Sequence, residues 1–319
     1  AHNDGDGGFG PDSDQDCIKC GTCSGETGSN RTIDLGFEPQ WVITKAIDTT
    51  SDWNITDTMR GLPVSGTGVR LEANNNGSEN GNDSIHITPT GFYVNGLGGS
   101  GNYIYMAIRR GPLAPPESAT EVFAMDNSRS TQANANGVVY YAGWPVDFSV
   151  FSGSRSGGGN KDVRSRLTGE GRMFANSTSA ETVVGNPIWD NMYGWKHVTS
   201  TGTLNTDVLT YMWKRAPGYF DCVAYSGNST AGRTVSHNVL GVAPEMIWIK
   251  SRTLAGDWRV YHKSIGNTNH LRLNEPVAAS SEPYWNNTTP TSSVFSLNSN
   301  ARVNGSGETY IAYLFASLA

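Results

Sequence analysis

A segment of this chain is written twice. Residues 33–53, IDLGFEPQWVITKAIDTTSDW, return as residues 238–258, NVLGVAPEMIWIKSRTLAGDW, with every spacing kept. Leu35-Gly36 matches Leu240-Gly241, Pro39 matches Pro244, Lys45 matches Lys250, and Asp52-Trp53 matches Asp257-Trp258. The flanks correspond too. CIKCGTCSG at the first copy and FDCVAYSG at the second place Cys20 on Cys222, and GFYVNGLGGSGNYIYMAI corresponds to SVFSLNSNARVNGSGETYIAYLF. Internal repetition at this length predicts a chain built of like units, each able to bury its own core.

A diverged copy lies between them. TEVFAMDNS reads as its entry strand, GWPVDFSVF as its next strand, and TDVLTYMWKRAP as an echo of NYIYMAIRRGP. RRGP at 109–112 and KRAP at 214–217 mark the two junctions. The expected organisation is an acidic, Gly-rich linker over 1–16 and three units over 17–112, 113–217 (diverged) and 218–319.

Each unit reads as all-β. In QWVITK, alternation sets Trp41, Ile43 and Lys45 on one face and Gln40, Val42 and Thr44 on the other, the signal of a half-buried strand. Met246 and Trp248 keep the first row bulky in the later copy, so that row is expected to face the core. Lys45 and Lys250 end it and are expected to snorkel to solvent. Pro before the strand suits a turn, and Asn-Gly at 76–77, 95–96 and 304–305 signals hairpins or loops. Short strands without a long helix predict three tandem β-sandwich modules of jelly-roll type.

Composition narrows the function classes. Charged residues are 16% of the 319, and the net charge is −6; a nucleic-acid binder would show a basic face, so that partner is not expected. No apolar run reaches membrane-spanning length. The six His residues sit in no metalloprotease motif, and no nucleophile elbow occurs, so enzymatic activity is not expected.

Candidate sites are few. Asp257, Trp258, Tyr261 and His262 cluster in sequence. One reading makes Trp258 and Tyr261 a sugar-stacking platform, with Asp257 accepting hydroxyl hydrogen bonds; the other makes Trp258 a core residue and Asp257 a loop terminator. Cys17, Cys20 and Cys23 have a metal-like spacing, but Cys222 is far off and no His pair accompanies them. They read as strand thiols, with their redox state open. Asp12, Asp14 and Asp16 alternate as calcium ligands can, yet the EF-hand positions for Gly and Glu hold Cys17 and Cys23; the segment reads first as a solvated linker, with calcium as the alternative. Asn30, Asn176, Asn228 and Asn304 begin glycosylation sequons.

MWKRAPGYFDCVAYSGNSTAGRTVSHNVLGVAPEMIWIKSR, DWRVYHK and WNNTTPTSSVFSL resemble a repeated β-rich module of bacteriophage structural proteins, notably tail-fibre and tail-associated proteins of marine and cyanobacterial phages. DCIKCGTCSG with IDLGFEPQWVITK resembles the start of the same module; Cys17 and Cys23 depart from it. The resemblance implies a non-enzymatic virion protein, a tail-fibre or appendage segment that assembles as a homo-oligomer, a trimer by analogy, with other virion proteins. A host cell-surface glycan is its further expected partner. The ends, YIAYLFASLA without a Pro-containing junction after it and an acidic, Gly-rich stretch before the first unit, lead to the expectation of a segment of a longer polypeptide or of one with disordered flanks. The alternatives are a capsid decoration protein, a carbohydrate-binding or depolymerising protein, and an extracellular filament or adhesin subunit.

Overall fold

The computed structural model describes residues 16–24, 31–60, 68–82, 85–97, 101–110, 115–127, 133–134, 137–152, 159–183, 187–197 and 208–317. Asp12, Asp14 and Asn30 lie outside them, as does most of the linker over 1–16. The described chain is nearly all β, with one four-residue α-helix, Ala301–Asn304.

One strand arrangement occurs three times. In the first copy the entry strand Ile18–Ser24 pairs with the closing strand Asn102–Arg109, which pairs with the inner strand Pro39–Ala46 and then the fourth strand Asn54–Asp57. In the middle copy the same order runs Phe123–Asp126, Leu209–Trp213, Phe148–Ser152, Lys161–Ser165. In the third it runs Phe220–Ser226, Thr309–Phe315, Met246–Ser251, Arg259–His262. Every pairing is antiparallel, and further short sheets accompany each copy. Runs of Val, Ile, Tyr, Phe and Trp, cut by Gly and Pro, favour such short pleated strands over helices.

The repeated Leu-Gly pair has a backbone cause. Gly36 and Gly241 sit at φ 71° and 70°, a region that costs any residue with a Cβ. Each ends the approach to the inner strand while Leu35 and Leu240 go into the core.

The chain forms two compact units, Ala1–Pro112 and Leu113–Ala319. In the first, Leu35, Phe37, Val42, Ile87, Phe92, Val94 and Ala107 are buried. The second holds two apolar clusters. One gathers Val138, Tyr140, Phe151, Trp189, Trp195 and Met212 in the middle copy. The other gathers Val223, Tyr225, Ile247, Ile249, Tyr261, Trp285, Phe295, Tyr310 and Leu314 in the third.

The strand faces reverse the sequence expectation. In Pro39–Ala46 the buried row is Val42, Thr44 and Ala46, while Trp41, Ile43 and Lys45 are half-buried. In Met246–Ser251 the core row is Ile247 and Ile249, not Met246 and Trp248. Both faces of this sheet carry apolar side chains, so bulk does not identify the inner one. The row named for the core forms an outer face, and what covers that face differs between copies.

Candidate functional site

The segment from Lys to Trp is the best-preserved feature, and the structure accounts for it by a clamp. The Asn74 side chain donates to Asp52 Oδ1 (2.7 Å) and accepts from the Trp53 backbone N–H (2.7 Å). Asn274 does the same for Asp257 (3.0 Å) and Trp258 (2.9 Å). Each clamp fixes the loop leading into the fourth strand. The lysines tie the same loop: Lys45 Nζ donates to the Ser51 carbonyl at 2.9 Å, and Lys250 Nζ to that of Leu254 at 3.4 Å. The clamping asparagines carry no local sequence signal, because the bridge crosses 16 or more positions.

The four residues named as a glycan site therefore do not converge. Trp258 is fully buried on the outer face of the sheet, stacked on Tyr313 with centroids 6.3 Å apart. Tyr261 is buried on the opposite face, edge-on to Trp285 at 5.6 Å. Neither offers a ring face to a sugar. His262 Nδ1 accepts the Ser264 N–H at 3.1 Å and caps the one-turn helix Lys263–Ile265. Asp257 is held by Asn274, Arg259 (3.1 Å) and Arg272 (3.5 Å). Burial alone would raise its pKa, but the hydrogen bonds from Asn274 and Arg259 outweigh it and hold the carboxyl below its usual range. Here the loop-terminator role of Asp257 and the buried role of Trp258 describe the geometry.

Lys250 does not snorkel. It is wholly buried, and Nζ also donates at 3.3 Å to the carbonyl of Thr178 in the middle copy. Burial, then Arg302 and Arg259, press its pKa down to about 8 against the attraction of Asp257.

These contacts belong to a seam between the middle and third copies. Phe148 lies 4.2 Å from Tyr313 and 5.4 Å from Phe220, centroid to centroid. Trp258 Nε1 donates to the Phe174 carbonyl at 2.8 Å. Arg252 grips Glu181 through Nε and Nη2 at 2.7 and 2.6 Å, and the Glu181 N–H donates to the Arg252 carbonyl at 2.8 Å. At the KRAP junction Arg215 Nε donates to Asp221 at 2.6 Å, both wholly buried, and the Arg215 N–H donates to Asp147 at 2.8 Å.

The parity of the strands identifies the faces that meet. Ser149, Phe151 and Met212 point into the core of the middle copy, so Phe148 and Trp213 lie on its outer face. Val223, Ala312 and Leu314 point into the third core, so Phe220, Cys222, Ile311 and Tyr313 lie on that copy's outer face. Like face meets like face.

In the first copy the matching positions are open. Cys20 is exposed where Cys222 is buried; Ile104 is 38% exposed where Ile311 is 0%; Trp53 is 38% where Trp258 is 0%. Trp41, Ile43, Met106 and Ile108 are half-buried on the same surface. A second open patch lies on the middle copy, where Tyr141 (59% exposed) stacks on Tyr193 (61%) with centroids 6.2 Å apart, beside exposed Met192.

Among the described residues no three His, Cys, Asp or Glu side chains gather as metal ligands, and none of the four cysteines forms a disulfide. Asp16 pairs with Lys19 Nζ at 3.2 Å. Among the described residues no helix is long and apolar enough to cross a membrane.

A family model described as a domain of unknown function, DUF7483, matches residues 17–112 and 165–319. The chain belongs to this family. The first DUF7483 match holds the whole open-faced copy, and the second runs from Ser165 through the seam and the third copy. No curated protein and no solved structure matches the chain.

Proposed function

We propose that this DUF7483 chain is a non-enzymatic structural protein of a bacteriophage virion, a tail-fibre or appendage segment that assembles with copies of itself and other virion proteins. The observation that carries the structural part is the use made of the repeated signature. Lys250, Asp257 and Trp258 are all tied to neighbouring loops or to the middle copy, and Arg252 reaches Glu181 across the seam. A repeated motif engaged this way serves to lock modules together, as a stalk or head requires, rather than to turn over a substrate. The resemblance to phage tail modules supplies the setting. Contact with a host-surface glycan falls, in this reading, to Tyr141, Tyr193 and Met192. Exposed aromatic rings give rigid contact area at small entropic cost.

Immunogold labelling of intact particles from the source phage tests the assignment. Label on tails or fibres supports it; label confined to heads favours a decoration protein, and no label on particles overturns the virion reading. A glycan array with a reducing-end release assay on the recombinant chain tests the remainder. Released oligosaccharide would overturn the non-enzymatic assignment.

A further inference from the structure

We propose that the outer sheet face of the first copy is the surface by which two copies of this chain associate, the same face of each meeting the other. The inference stands apart from the virion reading and concerns only how chains pair.

The argument starts from the seam. There, two equivalent outer faces have met and excluded water: Phe148 against Phe220 and Tyr313, with Cys222 and Ile311 wholly buried. The chain thus already contains the mating of one such face with another. The first copy presents the corresponding face open, with Trp41, Ile43, Ile104, Met106 and Ile108 along the inner and closing strands. A row of apolar side chains of this size on an open sheet marks a contact surface.

Two further observations select the occupant. The middle copy's outer face is taken, since Phe148, Val163 and Met173 are buried there. And the first copy lacks the groups that suit the middle one. Ile47, 58% exposed, stands where Arg252 grips Glu181. The face therefore asks for an apolar partner with no carboxylate at that edge. A second copy of itself is such a partner. In an isologous pair each residue's contact is returned by its mate, and two sheets stack at about 10 Å with their side chains interleaved.

Sedimentation velocity and light scattering on the full chain, from about 1 to 100 µM, measure the mass across the range where a standard-sized interface associates. Even multiples of the chain mass are expected. Ile104→Glu, at an exposed position and with the fold checked by circular dichroism, is expected to raise the dissociation constant at least about tenfold, because it sets a carboxylate in an apolar contact while its cross-strand neighbour Lys45 is already held by the Ser51 carbonyl. Val277→Glu, on an exposed third-copy loop, should change nothing. Alkylation of Cys20 should slow as wild-type concentration rises and stay fast in the Ile104→Glu variant. A single-chain or odd-multiple mass throughout overturns the proposal, as does association insensitive to Ile104→Glu. Cys20 shielded even in dilute monomer would mean that the face closes within one chain, which also overturns it.

Discussion

Trp258 donates its indole N–H to the carbonyl of Phe174 at 2.8 Å, joining two repeats whose sheets share no strand. Its counterpart Trp53 sits in the same loop behind the same asparagine clamp, 38% exposed. One motif thus serves two environments, and the two tryptophans should behave differently when removed. Trp258→Ala is expected to destabilise the second unit by about 3–5 kcal/mol, as for other buried aromatic truncations. Trp53→Ala should cost the first unit within about 1 kcal/mol. Urea unfolding of each variant checks the contrast; equal losses would contradict it.

The Arg252–Glu181 pair crosses the same seam, with side-chain exposures of 2% and 11%. Breaking a buried pair strands the remaining charge. Glu181→Ala and Arg252→Ala are each expected to cost about 3 kcal/mol or more, while the double variant costs much less than their sum, by about 1–3 kcal/mol of coupling. A double-mutant cycle by chemical denaturation measures this; additive losses would show that the pair holds nothing.

Lys250 imposes a pH dependence of definite sign. Burial lowers its folded pKa to about 8 from an ordinary 10.5, so between these values the unfolded chain binds the proton and the folded chain releases it. Stability attributable to Lys250 is therefore fully present above the unfolded pKa and declines as pH falls to 8. The full swing is on the order of 3 kcal/mol. Buried tyrosines such as Tyr225 have raised pKa values and act oppositely at higher pH, which confines the useful window to pH 8–10. Melting temperature should rise across it more steeply in wild type than in Lys250→Met; parallel curves would refute the assignment.

A second pH effect lies on the acid side. Burial, then Arg164 and Arg172, lower His197 to about 4, and burial also lowers His237 and His270. Folded imidazoles that refuse a proton lose stability as pH drops from 6.5 toward 4, where the unfolded chain takes protons up. His197→Gln should flatten this limb of a stability–pH curve; an unchanged limb would exclude His197 as its source.

The cysteines should separate by reactivity. Cys20 is exposed, whereas Cys222 is fully buried and burial pushes the Cys23 thiol up to about 11. In dilute native protein at neutral pH, iodoacetamide is expected to modify Cys20 well before Cys23 or Cys222, since only a thiolate within reach reacts. Peptide mass spectrometry of a time course reads the order.

The places where the fold could be read from the sequence are those where the physics is local. The strands at Trp41–Lys45 and Met246–Lys250 follow from alternation, and the turn ahead of each, expected from Pro39 and Pro244, is made at Gly36 and Gly241. The direction those strands face does not. Alternation separates two rows, but when the outer row is itself a contact surface both rows are apolar, and Trp41 or Trp248 looks like core. Trp258 and Tyr261, named together as a glycan platform, lie apart for a related reason. Three positions apart on an extended chain, they go to opposite faces of one sheet. Asn274, Glu181 and Thr178, which complete the ties, lie far away in sequence and become visible only in the fold.

Each copy begins and ends on adjacent antiparallel strands. Ile18 faces Ile108 and Phe220 faces Phe315, so the chain enters and leaves each copy at one end of the same ladder. A pull on those two ends would load the hydrogen bonds singly, peeling the entry strand from the closing strand like a zip, instead of straining all of them at once. Single-molecule stretching should accordingly rupture the first copy at low force. Mechanical strength in an appendage built from such units must come from the side-to-side grip of neighbouring copies, not from the ladders themselves.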